Sequence, residues 1–280
     1  MPVSNIRGVN INWQVIGEAG PWIMLTTGGR RGHAEFVPFA RKLAANGYRV
    51  VLHDRRNTGA SDVVIEGDEG EEVIWTEDMH ALMQQLRALP AFFGGGSSGA
   101  RTSILYALRH PEAVRGLLLM RVTGGPFAAG RLPDNYYGQF IRAAQQGGME
   151  AVCATEQWRE RIAANPRNGD YLRSIPAEQF ISVLTRWKAI FEAGGHLPVM
   201  GVTAEELQSL RVPTIVVPGN DKVHSSQSGL AAHASIPGAK LHRLAIKDQD
   251  VPLIPFGDWA PHEEELVEAF TDFMRGCVSR

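Results

Sequence analysis

Cysteine is nearly absent from this chain of 280 residues: the sequence contains two, Cys153 and Cys277, which lie far apart. Their spacing matches neither a metal-binding motif nor a redox motif, so we predict no metal site and no disulfide framework. Two free thiols are typical of a protein in a reducing compartment. We therefore expect a cytoplasmic protein.

An excess of charge of either sign is also missing. Lysine and arginine together number 28 and aspartate and glutamate 30, which leaves a formal net charge of -2. This balance provides no basic surface for nucleic acid or for an anionic membrane. The amino terminus has no signal-peptide core, and no apolar run reaches the length of a membrane span. We expect neither a nucleic-acid partner nor a membrane partner.

The chain does contain short apolar segments that alternate with amphipathic ones. These patterns predict strands at 9–16, 22–27, 49–53, 91–93 and 116–120, and helices at 34–46, 74–89 and 100–110. Such an alternation predicts a parallel sheet that is covered by helices on both faces. The expected fold class is therefore α/β.

The alternation stops between about residue 123 and residue 210. This stretch is predicted to be helical, at 136–146, 149–164, 177–193 and 204–210, and strand patterns resume at 214–217 and 240–246. A helix is predicted between these two strands at 227–235, and the last helix at 263–274. Because the sheet pattern continues, we favour a helical lid (124–210) inserted into one core (1–123 and 211–280) over a second domain.

A short glycine-rich segment lies between the predicted strand at 91–93 and the helix that follows it. From Gly95 to Gly99 it reads Gly-Gly-Ser-Ser-Gly, which is a G-x-S-x-G pattern. On such a strand–turn–helix junction the serine is strained and its hydroxyl is exposed at the top of the sheet. A plain glycine-rich loop before a helix is the alternative if the motif is taken alone.

Further segments support the first interpretation. Residues 25–29 stand where an oxyanion loop is expected, and residues 54–62 resemble a D-x-R-G-x-G-x-S-D turn with Asn57 in place of a glycine. Residues 107–112 read Ala-Leu-Arg-His-Pro-Glu, and residues 212–221 form a late apolar run that ends in aspartate. In this order and spacing the segments resemble the α/β-hydrolase superfamily over nearly the whole chain. The resemblance implies a mostly parallel sheet of the eight-stranded type, flanked by helices and carrying a helical lid.

The resemblance assigns a nucleophile and an acid. In the family the serine lies ten residues before the alanine of the Ala-Leu-Arg-His-Pro segment, and counting back from Ala107 gives Ser97 rather than Ser98. Asp221 directly follows the predicted strand at 214–217, at the edge of the sheet where an acid is needed. Asp248 and Asp250 are the alternative acids.

The expected base departs from the family pattern. The family histidine usually follows a glycine after the last strand, but here the tail reads Gly-Asp-Trp-Ala from Gly257, with Asp258 in the position of the histidine. An aspartate is a poor base for a serine because its ordinary pKa is about 3.9. His262, in the first turn of the last helix, points back toward that position and is the expected base. His224 and a site without a working histidine remain the alternatives.

The resemblance also implies two oxyanion donors, the backbone N–H groups of Gly29 and Ser98. Several arginines near the carboxyl ends of strands could recognise a substrate carboxylate, or could instead form ion pairs that fix loops. They are Arg30, Arg31, Arg56, Arg101 and Arg121. Asp258 and Trp259 are further substrate-contact residues on the same interpretation.

We therefore expect a cofactor-independent serine hydrolase that acts on a small ester or related carbonyl compound through an acyl-enzyme. Ser97 attacks, His262 accepts its proton, and Asp221 orients the imidazole. One alternative is a carbon–carbon-bond hydrolase or lyase, which the Gly-Asp-Trp-Ala tail suggests. The other is a binding protein on a hydrolase fold that has lost its relay. The expected partner is a small-molecule substrate, and a homodimer is left open.

Overall fold

The computed structural model describes residues 2–278 of the chain. Eight strands form one mixed sheet. They are β1 (Val3–Ile6), β2 (Val9–Ile16), β3 (Trp22–Thr26), β4 (Arg49–His53), β5 (Ala91–Gly96), β6 (Val114–Met120), β7 (Thr214–Val217) and β8 (Lys240–Leu241). Their order is β1-β2-β4-β3-β5-β6-β7-β8. Strands β1 and β2 pair antiparallel, as do β2 and β4, and the other pairs are parallel. The predicted, mostly parallel eight-stranded α/β sheet is confirmed.

Helices flank this sheet. The α-helices are α1 (Val37–Ala45), α2 (Glu71–Gln85), α3 (Ser98–Arg109), α4 (Pro126–Pro133), α5 (Gln139–Ala154), α6 (Glu156–Ala164), α7 (Arg167–Ser174), α8 (Ala177–Ala193), α9 (Ala204–Ser209), α10 (Ser226–Ser235) and α11 (Glu263–Val278). Short 3-10 or π helices lie at His33–Phe36, Pro111–Ala113, Asp134–Gly138 and Phe256–His262. Of the helices described, none combines the length and the apolar character that crossing a membrane requires.

The two faces of the sheet bury separate apolar clusters. Successive residues of a strand point to opposite faces, so the neighbours Phe92 and Phe93 of β5 pack in different layers. Phe93 stacks on Tyr106 of α3 with ring centroids 4.0 Å apart. Phe92 lies in the layer of α1 and α11, where Phe39 and Phe270 meet edge to face at 6.1 Å. Because strands β3 to β8 run parallel, their carboxyl ends meet at one edge of the sheet, which the covering of both faces leaves open.

Helices α4 to α9 lie between β6 and β7, within a stretch that we call the inserted segment (residues 124–210). Helices α4 to α8 share a third apolar cluster with Val63, Ile65 and Ile74 of the sheet-bearing part of the chain, whereas Leu207 of α9 lies in the cluster that contains Phe93. The predicted break between two helices at 146–149 corresponds to Gly147 and Gly148, whose backbone angles are not helical. Helices α4 and α7 were not predicted. The division into core and lid stays a prediction.

The last strand is shorter than predicted. Strand β8 contains two residues, Lys240–Leu241, rather than the run at 240–246. It is an edge strand, and the loop beyond it bonds elsewhere: the N–H of Gln249 donates to the carbonyl of Asn220 at 2.8 Å, and the N–H of Lys222 donates to that of Val251 at 3.0 Å. The chain after β8 therefore wraps around the loop that follows β7.

Candidate active site

The turn between β5 and α3 holds Ser97 in a left-handed backbone conformation, with φ 58° and ψ -121°. A non-glycine residue in this region is strained and persists only where its surroundings enforce it. Here the Ser97 N–H donates to two carbonyl oxygens at the end of β6, each at 3.2 Å. A Cβ on Gly95 or Gly99 would overlap the carbonyl oxygen of Thr26, so the turn requires glycine on both sides. Ser97 thus occupies the strand–turn–helix junction expected from the sequence.

The neighbouring serine has a different environment. Ser98 is buried, and its hydroxyl accepts a hydrogen bond from Nη1 of Arg55 at 2.9 Å. Nη2 of the same arginine donates to the carbonyl oxygen of Gly29 at 2.7 Å. Arg55 therefore ties the start of α3 to the loop after β3 and engages the hydroxyl of Ser98, whereas Ser97 lines a cavity.

The hydroxyl of Ser97 lies 3.1 Å from that of Thr123. Thr123 is buried and follows β6, which is the neighbour of β5 in the sheet. The sequence analysis did not identify this residue. The only available signal was its position just beyond the carboxyl end of a predicted strand, which many residues share.

Asp221 and His224 form a pair in the loop after β7. Oδ1 of Asp221 accepts the backbone N–H of His224 at 2.8 Å, and Oδ2 lies 3.0 Å from Nδ1 of the imidazole. Burial alone would raise the pKa of Asp221, but hydrogen bonds from His224 and from the Ile254 amide hold that pKa well below its usual range. An ionised carboxylate only accepts hydrogen bonds, so Nδ1 carries the proton and Nε2 is an acceptor.

The environment of the other ring nitrogen of His224, Nε2, differs from that of Nδ1. Nε2 of His224 is buried and has no hydrogen-bond partner among the described residues. His224 and Ser97 line the same cavity. Burial is the main cause that lowers the pKa of His224 below 6.5, and the charge of Arg121 acts in the same direction. The imidazole is therefore neutral at neutral pH and can accept a proton.

The structure corrects the predicted partner of Asp221. His262 is half-buried at the end of the 3-10 helix Phe256–His262. It is not among the described residues that line the cavity beside Ser97. His224, the alternative histidine, is the one bonded to the acid. The cause is local: the hydrogen bond from the His224 amide to Oδ1 closes a tight turn that folds the imidazole back onto Oδ2.

The tail that suggested His262 has other contacts. Asp258 is exposed and lies outside the described cavity lining. Trp259 is buried, and its indole N–H donates to the side chain of Asn220 at 3.1 Å. Trp259 therefore supports the loop that carries Asp221, and neither residue is among those that line the cavity.

The predicted arginines are mainly engaged in ion pairs. Arg121 donates to Oδ2 of Asp221 at 2.7 Å and to the carbonyl oxygen of Ile254, and its guanidinium lies 5.1 Å from the ring of Trp259. The remaining pairs are Arg30 with Glu71, Arg31 with Glu35, Arg56 with Asp78 and Arg101 with Glu72. Arg30, Arg31 and Arg121 line the cavity beside Ser97. Arg56 and Arg101 are not among the described residues that line it.

The cavity beside Ser97 measures about 300 Å³. Its lining includes Gly28 and Gly29 from the loop after β3, His224, and side chains from the inserted segment, notably Tyr136 and Arg161. A Cβ on Gly28 would come within 3.1 Å of the Cβ of Ser97, so this loop passes directly beside the serine. No group of three or more potential metal ligands occurs in the part of the chain that the structure describes.

A family model described as alpha/beta hydrolase fold matches residues 21–168. The chain is 30% identical over 246 residues to the sn-1-specific diacylglycerol lipase ABHD11 of Mus musculus, covering 81% of this chain and 72% of that protein. It is 24% identical to the 2-hydroxy-6-oxononadienedioate/2-hydroxy-6-oxononatrienedioate hydrolase of Escherichia coli (strain K12), covering 98% and 92%. A 39% identity to the uncharacterized hydrolase YraK of Bacillus subtilis (strain 168) spans 39% of this chain and 40% of that protein.

A solved structure is similar in fold. The enol-lactonase from Burkholderia xenovorans LB400 superposes with a TM-score of 0.61, at 19% identity and with 100% of both chains covered. At this identity the likeness concerns the fold alone.

Proposed function

The chain belongs to the α/β-hydrolase family, and from that premise we propose that this hydrolase cleaves a small ester or related carbonyl compound through an acyl-enzyme on Ser97. One observation carries the proposal. Ser97 stands on a strained turn at a cavity that is also lined by His224, a buried, neutral imidazole whose Nε2 has no hydrogen-bond partner among the residues that the structure describes. A hydroxyl that shares a cavity with an acceptor nitrogen of this kind is suited to nucleophilic attack.

We assign the proton transfer to His224 rather than to His262. Its Nδ1–H donates to Asp221, so the imidazole is held with Nε2 available as a base. The Ser97 hydroxyl, which contacts Thr123 at 3.1 Å, has to turn toward Nε2 for this step. Asp221 stays ionised and stabilises the imidazolium that forms.

The remaining steps follow from the same groups. The Ser97 oxygen attacks the carbonyl carbon, and the oxyanion is held by the backbone N–H groups of Gly29 and Ser98. The imidazolium of His224 returns its proton to the leaving alkoxide. Water, deprotonated by the same imidazole, then attacks the acyl-enzyme, and the proton goes back to Ser97 as the acid departs. No cofactor takes part in this sequence.

The inserted segment serves as a lid in this proposal. Side chains from α4 and α6 and from the turn Asp134–Gly138 line the cavity together with Ser97 and His224. A substrate can reach the serine, and the product can leave, when this cover moves.

A carbon–carbon-bond hydrolase is the second candidate. The E. coli relative, which is named as a 2-hydroxy-6-oxononadienedioate/2-hydroxy-6-oxononatrienedioate hydrolase, aligns over 98% of this chain. Under this alternative the same serine and histidine act, but the bond that breaks joins two carbons. We do not favour a binding protein without a relay, because the chain belongs to a hydrolase family and His224, the alternative base of the sequence analysis, is bonded to Asp221.

The test combines labelling with turnover. A fluorophosphonate should label Ser97, and Ser97→Ala should abolish labelling, whereas Ser98→Ala keeps the backbone N–H of that residue and should still be labelled. With a neutral nitrophenyl ester, His224→Ala should lower kcat by about 10³-fold or more, and the matched variant His262→Ala by less than about tenfold.

Two results would contradict this assignment: labelling on Ser98, or a large loss with His262→Ala and none with His224→Ala. The second candidate is separated by comparing kcat/KM for the ester with kcat/KM for a 2-hydroxy-6-oxo dienoate. A value for the dienoate that exceeds the ester value by orders of magnitude would favour carbon–carbon cleavage.

A further inference from the structure

The cavity beside Ser97 is lined by five arginines, which differ in what balances their charge. Arg30, Arg31 and Arg121 form ion pairs with acidic side chains. Arg131 is exposed to solvent. The fifth, Arg161 of α6, is buried, with 4% of its surface exposed.

Arg161 forms no ion pair with an acidic side chain among the described residues, and Glu71 and Glu160 act on its charge only from a longer distance. Its Nη2 donates to the neutral amide of Gln157 at 3.3 Å, and its Nη1 is buried without a hydrogen-bond partner among the described residues. The guanidinium lies over the ring of Trp158, with 4.3 Å from Cζ to the ring centroid. Burial lowers the pKa of Arg161 to about 9, so the group still carries its charge at neutral pH.

An uncompensated buried charge destabilises the folded protein unless an opposite charge pairs with it. Here the charge lies in the wall of a cavity that a small molecule can enter, so a bound anion can supply the missing partner. The guanidinium presents its N–H donors as a planar fork that matches a carboxylate.

We propose that Arg161 binds a carboxylate carried by the substrate, so that this enzyme prefers small esters or related carbonyl compounds with a second, anionic end. The assignment of the reacting end rests on the proposed function, since Ser97 and His224 define where the scissile carbonyl lies. The inserted segment would then select the substrate as well as cover it.

The charges around Arg161 favour a monoanion over a phosphate. Glu35 and Glu160 also line the cavity. Glu35 is paired with Arg31, so these carboxylates add no attraction for an anion, and one guanidinium balances only one of the nearly two negative charges that a phosphate monoester carries at neutral pH. A single carboxylate matches the one buried guanidinium of this cavity that forms no ion pair with the described residues.

The experiment compares two esters of equal acyl length, 4-nitrophenyl hydrogen glutarate and 4-nitrophenyl pentanoate, at the same pH and salt. The first carries a carboxylate and the second a methyl group at the same place. We expect kcat/KM to favour the glutarate ester, and Arg161→Gln to lower that preference by about 10- to 100-fold, as expected for a hydrogen-bonded charge pair. Arg161→Lys, which keeps the charge, should retain part of the preference.

Arg131→Gln is the matched control, because Arg131 lines the same cavity but is exposed. The proposal is overturned if the preference is lost in Arg131→Gln and kept in Arg161→Gln, or if Arg161→Gln slows both esters equally. The melting temperature of Arg161→Gln should not fall, since the removed charge forms no ion pair within the described part of the chain. A large fall with the preference unchanged would make Arg161 purely structural.

A binding measurement separates this proposal from the proposed function. Glutarate should raise the melting temperature of Ser97→Ala, and this shift should disappear when Arg161→Gln is added. If neither ester is hydrolysed but the Arg161-dependent shift is present, the esterase assignment fails and the carboxylate site stands. If both esters are hydrolysed equally and glutarate produces no shift, the carboxylate site fails alone.

Discussion

One carboxylate oxygen of Asp221 receives three donors. Oδ2 accepts from Arg121 at 2.7 Å, from the Ile254 amide at 3.0 Å and from Nδ1 of His224 at 3.0 Å. Arg121 therefore shares the oxygen that orients the imidazole, and its Nη2 lies 3.3 Å from Nδ1. Its positive charge opposes protonation of His224, in the same direction as burial. Arg121 is thus placed to set the pH range of the base rather than to bind substrate.

The pH profile tests this role of Arg121. A base must be neutral, so activity is lost as the pH falls through the pKa of His224. Because burial and Arg121 lower that pKa, the acidic limb of kcat/KM for a neutral ester should lie below pH 6.5. In Arg121→Met the cation is gone, the pKa of His224 rises, and the limb should move to higher pH.

Arg131→Met is the control, because Arg131 is an exposed arginine of the same cavity. Its acidic limb should stay within about 0.2 pH units of the wild type, since exposed charges are screened. A limb that stays in place in Arg121→Met, or moves to lower pH, would remove Arg121 from this role.

At the scale of elements, the junction of β5 and α3 reverses an ordinary helix preference. Alanine is favoured over glycine inside a helix by up to about 1 kcal/mol. Gly99 lies in the first turn of α3, where an added Cβ would overlap the carbonyl oxygen of Thr26. The approach of β3 to this turn therefore outweighs helix propensity at that position.

We expect Gly99→Ala to lower the free energy of unfolding by about 1–3 kcal/mol, because a methyl group has to displace backbone at a packed site. It should also slow fluorophosphonate labelling of Ser97, since the turn that presents the serine is displaced. Gly276→Ala in α11 is the matched control: a Cβ there meets no atom of residues 2–278 within 4 Å, so stability should be unchanged or gain up to about 1 kcal/mol. Chemical denaturation measures the free energy of unfolding of the two variants. Equal effects of Gly99→Ala and Gly276→Ala would refute the close approach of β3 as the reason for glycine at position 99.

Elements with strong periodicity were predicted from the sequence, and their contacts explain why. Phe92 and Phe93 are both buried, on opposite faces, so the β5 pattern had to be apolar throughout. Helix α7 was missed because it is short and polar: its buried residues include Asn168 and Gly169, which carry no apolar period. Strand β8 was predicted too long because its apolar continuation, which includes Leu244, packs into the cluster that also contains residues of α11 and does not extend the strand.

The site was predictable in part for the same reason. Parallel strands place their carboxyl ends at one edge, so Ser97 after β5 and Asp221 after β7 could be expected there. The partner of Asp221 could not be read from strand order, because the turn from Asp221 to His224 depends on one hydrogen bond between a side chain and an amide. Arg161 was also missed, since burial without a partner is a tertiary property.

At the scale of the whole molecule, the inserted segment is attached to the rest of the chain by buried polar contacts as well as by its apolar cluster. The side chain of Asn168 accepts the N–H of Val63 at 2.8 Å and donates to the carbonyl of Ser61 at 3.1 Å. The hydroxyl of Tyr171 accepts the N–H of Ile65 at 2.8 Å. Helix α7 is therefore bound to the loop after β4, and we expect the movement that opens the cavity to occur in the helices nearer Ser97.

The last prediction concerns this attachment. Asn168→Ala removes the side-chain amide that pairs with two buried backbone groups, the N–H of Val63 and the carbonyl of Ser61. Each buried group left without a partner costs about 1–3 kcal/mol. We expect the free energy of unfolding to fall by at least about 2 kcal/mol, and hydrogen exchange at the Val63 amide to accelerate. Asn46→Ala is the control, because Asn46 is exposed and its side chain donates to the Lys42 carbonyl on the surface, so its change should stay within about 0.5 kcal/mol. If the two variants are equally stable and Val63 exchanges at the wild-type rate, Asn168 does not hold the inserted segment to the sheet-bearing part of the chain.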